Sequence, residues 1–165
     1  MRVEIKEYIS RFGYRGLKTY FLSKICRIIE PNFDAEVRIS QMQQTKCRLY
    51  RLYLRNSLIK KYGIEVSATA KIGKKLHIEH VNGIVVGAGV VVGDNCTIYQ
   101  GVTLGQKNRK YPVIGDNVTI YPGAKVIGDI KIGDNVVIGT NSVVLHDVAS
   151  NYTVAGNPAK VIKRN

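Results

Sequence analysis

The sequence predicts a parallel β-helix preceded by a short helical segment, and three observations carry that prediction. Between Val66 and Val144 an aliphatic residue recurs with a stride of six in three runs, a small or apolar residue fills the fifth place of most hexads, and the spacing before Tyr62 is helical instead. The aliphatic positions are Val66, Ile72 and Ile78, then Val86, Val92, Ile98 and Leu104, then Ile114, Ile120, Val126, Ile132, Ile138 and Val144. The fifth places hold Ala70, Leu76, Val90, Cys96, Val102, Val118, Ala124, Ile130, Val136, Ser142 and Val148. A six-residue period is one short strand plus a turn. Three hexads close a triangular coil with one inward side chain on each side, so thirteen hexads make a little over four coils. Glycine follows the inward residue at Gly73, Gly87, Gly93, Gly105, Gly115, Gly133 and Gly139, where it is expected to supply a turn conformation that side chains resist. Antiparallel hairpins would place turn signals about every 8–12 residues and do not account for this stride.

Residues 1–61 read as an N-terminal helical segment and residues 62–165 as the β-helix domain. Val3, Ile5, Tyr8, Ile9 and Phe12, and then Leu17, Tyr20, Phe21, Ile25, Ile28 and Ile29, follow helical spacing, with Pro31 expected to stop the second run. Asp34 is expected to cap a third helix running to about Lys61, with Leu49, Tyr53 and Leu54 on its buried side and Gly63 past its end.

The chain has 165 residues, 45% hydrophobic and 22% charged, which is ordinary globular composition and excludes global disorder. Its net charge of +13 is uneven: 14 basic residues stand against 5 acidic ones in residues 1–61, so the excess is not a continuous basic groove over the repeat. No nucleic-acid-reading motif accompanies it, and a non-catalytic scaffold whose basic helices meet an anionic surface is the rival of another class. No run reaches the roughly 18 apolar residues of a membrane span, the N-terminus lacks the apolar core of a signal peptide, and membrane contact is at most peripheral. Cys26, Cys47 and Cys96 cannot all pair and lack metal-ligand spacing. The expectation is therefore a cytoplasmic protein with no metal, with Cys26 and Cys47 as helix-packing residues and Cys96 as a small buried side chain.

The stride breaks twice. Two extra residues separate Ile78 from Val86, across Glu79-His80-Val81-Asn82-Gly83, and four separate Leu104 from Ile114, across Gln106 to Pro112. A solenoid accepts insertions only as loops leaving the coil, and loops on a rigid scaffold are where chemistry concentrates. His80 is the candidate base in the first break, with His77 its competitor; His146 lies far from either break.

The stretch GIEVSATAKIG, LHIEHVNGIVVG, GDNCTIYQGVTLG, PVIGDNVTIYPGAKVIGDIKIGDNVVIGTNSVV and VAGNPAKVI resembles the hexapeptide-repeat acyltransferases, in their serine acetyltransferase branch, over roughly Tyr62 to Ile162. The resemblance implies a left-handed parallel β-helix, a homotrimer with a dimer of trimers left open, acetyl-CoA in the cleft between subunits, and acetyl transfer to a hydroxyl. By position it gives His80 the role of general base and Glu65 that of the acid orienting it. The motif, which in the family reads Asp-His before two small residues and Gly, is here Glu79-His80-Val81-Asn82-Gly83. Glu79, Asn82, Lys110 and Tyr111 are the implied acceptor-binding residues. Gly105, Tyr121, Pro122, Thr140 and Lys160 are implied for acetyl-CoA; the oxyanion formed from the thioester needs donors, for which Tyr111 and the backbone N–H groups near Gly105 are the candidates.

Three departures bear on the acceptor. The second loop reads Lys110-Tyr111-Pro112 where the branch has Arg-His before Pro, the helical segment is short, and the chain ends Lys163-Arg164-Asn165 without the terminal Ile of the full-length enzymes. On these grounds a sugar hydroxyl in surface-polysaccharide or precursor synthesis is expected ahead of L-serine, as in the short polysaccharide-cluster relatives of colanic-acid type. The three-histidine zinc site of γ-class carbonic anhydrases, which share the fold, is not matched, because His77 and His80 are three apart and His146 is coils away.

Overall fold

A computed structural model describes residues 31–165, so the helical runs expected before Pro31, and Cys26, lie outside the described residues. Every stride position from Val66 to Val144 falls in a two- or three-residue strand, and the strands stack in parallel into three sheets around a prism of about four coils. The five-stranded face holds Glu65–Val66, Val85–Val86, Thr103–Gly105, Lys125–Ile127 and Val143–Val144. The four-stranded face holds Lys71–Ile72, Val91–Val92, Val113–Ile114 and Lys131–Ile132. The third face stacks His77–Glu79, Thr97–Tyr99, Thr119–Ile120 and Val137–Ile138, and ends in a hairpin of Tyr152–Gly156 and Ala159–Arg164 that covers its last edge.

Register explains the hexad. Val66, Val86, Leu104, Val126 and Val144 lie directly above one another, so each inward side chain rests on its equivalent a coil away. All stride residues are buried except Ile72, which is half-buried in the first coil beneath a helix. The fifth-place residues are buried as well; Ser142, the polar one, accepts a bond from Gly156 N–H at 3.1 Å, which meets the cost of its burial.

The glycines after the inward residue serve a different purpose from the one expected. The left-handed conformations fall two residues later, at Asn95, Asn117 and Asn135, while Gly73, Gly93, Gly115 and Gly133 keep ordinary φ. What they provide is room. A Cβ on Gly93 would stand 2.5 Å from the Gly115 carbonyl oxygen and against the Asp116 carboxylate. Those aspartates form a ladder down this edge: Asp94 accepts from Lys74 N–H, Asp116 from Asp94 N–H and Asp134 from Asp116 N–H, at 2.7–2.8 Å.

The expected third helix is two: α1 (Pro31–Gln44) and α2 (Arg48–Tyr62). Pro31 opens α1, where its missing N–H costs nothing. Asp34 lies inside α1 and is not a cap; it accepts from Arg38 at 2.8 Å and from the Tyr62 hydroxyl at 2.5 Å. The chain reverses at Thr45-Lys46-Cys47, where Thr45 Oγ1 accepts from Cys47 N–H and the Thr45 carbonyl accepts from Arg51. The buried side of α2 is Leu54 and Leu58, one turn apart; Leu49 and Tyr53 face outward and Cys47 is exposed rather than packed. Gly63, at φ +61°, ends α2 in the left-handed conformation and turns the chain into the first coil. Leu54, Leu58, Ala35, Ile39 and Met42 belong to the same core as the solenoid. Among the described residues no helix is long and apolar enough to cross a membrane.

Candidate active site at the first break in the repeat

The edge between the third face and the five-stranded face is laced by backbone bonds: Gly83 N–H to Gly63, Gly101 N–H to Asn82, Gly123 N–H to Gln100 and Asn141 N–H to Pro122, at 2.8–3.1 Å. Glu79 pairs in register with Tyr99, and Asn82 takes the place that Gln100 takes a coil later. The two extra residues are therefore His80 and Val81. They are pushed off the coil, and His80, at φ +59°, is exposed at the tip. Among the described residues its imidazole makes no hydrogen bond.

Helix α1 braces this break at two points. Asn32 Oδ1 accepts from Val81 N–H at 3.2 Å, and the nearly buried Glu36 reaches over the strand His77–Glu79. Glu36 Oε1 lies 2.7 Å from Ile78 N, which donates to it, and 3.0 Å from Nδ1 of His77. Nε2 of the same ring lies 2.6 Å from Oε1 of Glu79, the residue before His80. His77 thus stands between two carboxylates, as a link between helix and loop; the sequence raised it only as a competing base.

Glu65 starts the first strand of the five-stranded face with its side chain outward, and its Oε1 accepts from Arg55 of α2 at 2.6 Å. The bond found for Glu65 runs to Arg55, and none to His80 is formed in the single chain. Asn82 is exposed beside Gly63. Farther along the same edge stand Tyr121, Pro122 and Thr140, the residues implied for the cofactor. Tyr121 stacks on Tyr99 with ring centroids 5.0 Å apart. Partial desolvation, then the charge of Glu79, pushes the Tyr99 hydroxyl above the ordinary phenol range.

The second break leaves a different edge, between the five- and four-stranded faces. Lys107 and Lys110 exchange backbone bonds across Asn108 and Arg109, both at positive φ, which makes a tight two-residue hairpin. Lys110 Nζ is 2.6 Å from Asp129, and the Tyr111 ring packs against Gly87 and Gly89, with a Cβ on Gly87 only 3.0 Å from Tyr111 Cε1. Gly105 closes its strand at the root of this loop, against Ile127. Lys160 is exposed on the final strand, paired with Ala155. One chain therefore brings Glu79, His80, Asn82, Tyr121, Pro122 and Thr140 to one edge, and Gly105, Lys110 and Tyr111 to another.

Cys96 is buried, and its thiol donates to the Gly115 carbonyl at 3.2 Å; burial pushes its pKa up, which keeps it a thiol. A cleft of about 800 Å³ among the described residues lies under α1, walled by Phe33, Val37, Ile39, Gln43, Ile72 and Lys74, with Glu36 as the part it shares with the first break. Glu36, Asn32 and Tyr99 were missed by sequence reasoning. An acid set among Phe33, Ala35, Val37 and Ile39 was the available signal for Glu36, and the shared hexad place of Tyr99 and Tyr121 the signal for the stack.

Residues 111–146 match the family model described as bacterial transferase hexapeptide (six repeats). A serine acetyltransferase of Staphylococcus aureus (strain Mu50) is 53% identical over 107 residues, 62% of this chain and 50% of that protein. A serine acetyltransferase structure from Brucella abortus strain S19 superposes with a TM-score of 0.74 at 30% identity, covering 99% of this chain and 67% of that one. The chain belongs to the hexapeptide-repeat acyltransferases, in the serine acetyltransferase branch. A structure of this branch described as a serine acetyltransferase complex with CoA matches at TM-score 0.65 and 34% identity, over 80% of this chain and 54% of that one. The chain spans about half the length of the curated relatives it matches.

Proposed function

We propose that the protein is an acetyl-CoA-dependent O-acetyltransferase with His80 as general base and L-serine as the leading acceptor. The observation that carries this is the placement of the only two residues expelled from the coil at the first break, His80 and Val81, with an exposed imidazole at the tip. The naming of the relatives as serine acetyltransferases, and of one matched structure as a CoA complex, supports the donor and the acceptor. This reverses the order expected from the sequence, where a sugar hydroxyl stood first. One observation still favours the sugar: Lys110 is tied to Asp129 and Tyr111 lies on Gly87 and Gly89, where the branch has an Arg-His pair.

In this reading His80 takes the proton of the acceptor hydroxyl as its oxygen bonds to the thioester carbon. The C–S bond then breaks, and the imidazolium returns the proton to the departing CoA sulfur. Arg55 engages Oε1 of Glu65, and the reading gives Oε2 to the other ring nitrogen of His80, fixing its tautomer. Glu79 and Asn82 meet the acceptor. Tyr121, Pro122, Thr140 and Lys160 line the acetyl-CoA path, and backbone N–H groups near Gly105 or the Tyr111 hydroxyl receive the oxyanion. Because the two breaks leave different edges of the prism, the reading needs a second copy to bring Tyr111 to His80, as a homotrimer would. A cytoplasmic location fits the donor.

The test is CoA-thiol release with L-serine and a panel of free and nucleotide-linked sugars. Turnover with L-serine alone supports the reading. Turnover with a sugar alone restores the other acceptor, and binding of no acetyl-CoA returns the protein to a scaffold.

A further inference from the structure

We propose that His77 is a positioning residue of this site, holding Glu79 in a fixed orientation beside His80 and anchoring it through Glu36 to helix α1. The inference rests on the acyltransferase reading and adds to it a residue outside the Glu79-His80-Val81-Asn82-Gly83 motif.

Strand geometry places His77 and Glu79 on the same outward side, two residues apart, with Ile78 pointing into the core between them. At 2.6 Å the pair is a short, charge-assisted contact, and Glu79 spends one oxygen on it. On the other side of the ring, Nδ1 meets Glu36 at 3.0 Å, and the same oxygen of Glu36 also receives Ile78 N–H. Both ring nitrogens face carboxylate oxygens, and a ring protonated on both would donate to each. The ring stands between the two acids, one of them only 7% exposed, and ties them into one chain from helix to loop. With Oε1 held by His77, Oε2 of Glu79 is the atom left to meet the acceptor next to His80. Helix α1 secures both sides of the break, through Glu36 on the strand and Asn32 on Val81.

The experiment compares wild type with His77→Ala, His77→Gln, Glu79→Gln and the His77→Ala/Glu79→Gln double variant, using L-serine and acetyl-CoA. His77→Ala is expected to raise KM for L-serine about tenfold or more, the value of one charge-assisted bond, with KM for acetyl-CoA unchanged. His77→Gln, which can still donate to Glu79, recovers part of the loss. In the Glu79→Gln background His77→Ala adds little. An equal effect of His77→Ala with and without Glu79 overturns the proposal, as does a rise in KM for both substrates together. Nitrogen NMR of the ring gives a reading independent of activity: a proton on Nε2 at neutral pH supports the proposal, and its absence refutes it. If wild type fails to acetylate L-serine, the acceptor reading falls while the NMR result still decides His77.

Discussion

Arg55 and Glu65 form an ion pair of 2.6 Å that ties helix α2 to the first strand of the solenoid. Both side chains are partly exposed, at 30% and 52%, so the pair contributes little to stability. Arg55→Ala is expected to change unfolding free energy by no more than about 1 kcal/mol in chemical denaturation. Glu65→Gln is expected to lower kcat while sparing KM for acetyl-CoA, with a smaller loss than the roughly 100-fold floor for removing the base itself. An unchanged kcat would leave Glu65 as a strut between helix and coil.

Asp34 links the two helices. Burial opposes its ionisation, but the hydrogen bonds from Arg38 and Tyr62 and the charges of Arg38 and Lys61 outweigh that and hold its carboxyl below the usual 3.8. The stability it lends is complete above that usual value and is lost as pH falls through the lower folded value. Burial, then Asp34, pushes the Tyr62 hydroxyl well above the phenol range, so its contribution holds below the usual 10.0 and fades only at higher pH. Asp34→Ala is expected to cost about 1–3 kcal/mol, because it strands the Arg38 and Tyr62 donors. Urea titrations across pH should show the wild-type advantage over Asp34→Asn shrinking below the usual carboxylate value. A difference that is flat with pH would contradict the assignment.

Gly93→Ala tests why glycine follows the inward residue. With the Gly115 carbonyl oxygen 2.5 Å from the added Cβ, the substitution is expected to destabilise by about 1–3 kcal/mol through overpacking, although φ at Gly93 is ordinary. Asn95→Gly, at a left-handed position, should by contrast be well tolerated. Thermal melts of the two variants would separate crowding from backbone preference, and a stable Gly93→Ala would return the glycines to a purely conformational role.

The solenoid was legible because each inward residue repeats the same local problem, and a period of six has one economical solution. The two breaks were legible for the same reason, which is how His80 was located. The helices before it were less so. Asp34 resembles a cap by residue type, but its partner Tyr62 lies 28 residues away, and a long-range bond leaves no local signature. The outward faces of Leu49 and Tyr53 were likewise hidden, since apolar spacing marks a stripe without saying what covers it. At the site, the break and the family motif singled out His80, Glu79 and Asn82 as candidates, whereas the Glu36–His77–Glu79 chain depends on how α1 crosses the first coil.

Cys96 and Cys47 should differ in reactivity. Alkylation followed by peptide mass mapping is expected to label exposed Cys47 in the native protein and to reach Cys96 only after unfolding, because Cys96 is buried and held as a thiol. Rapid native labelling of Cys96 would mean that the coils open at that level.

Whether His80 removes the acceptor proton is decided by steady-state CoA-thiol release with L-serine, wild type against His80→Ala. Turnover is expected to fall about 100-fold or more in His80→Ala, with circular dichroism and acetyl-CoA binding unchanged. Equal turnover in the two proteins would contradict that role and move the base elsewhere.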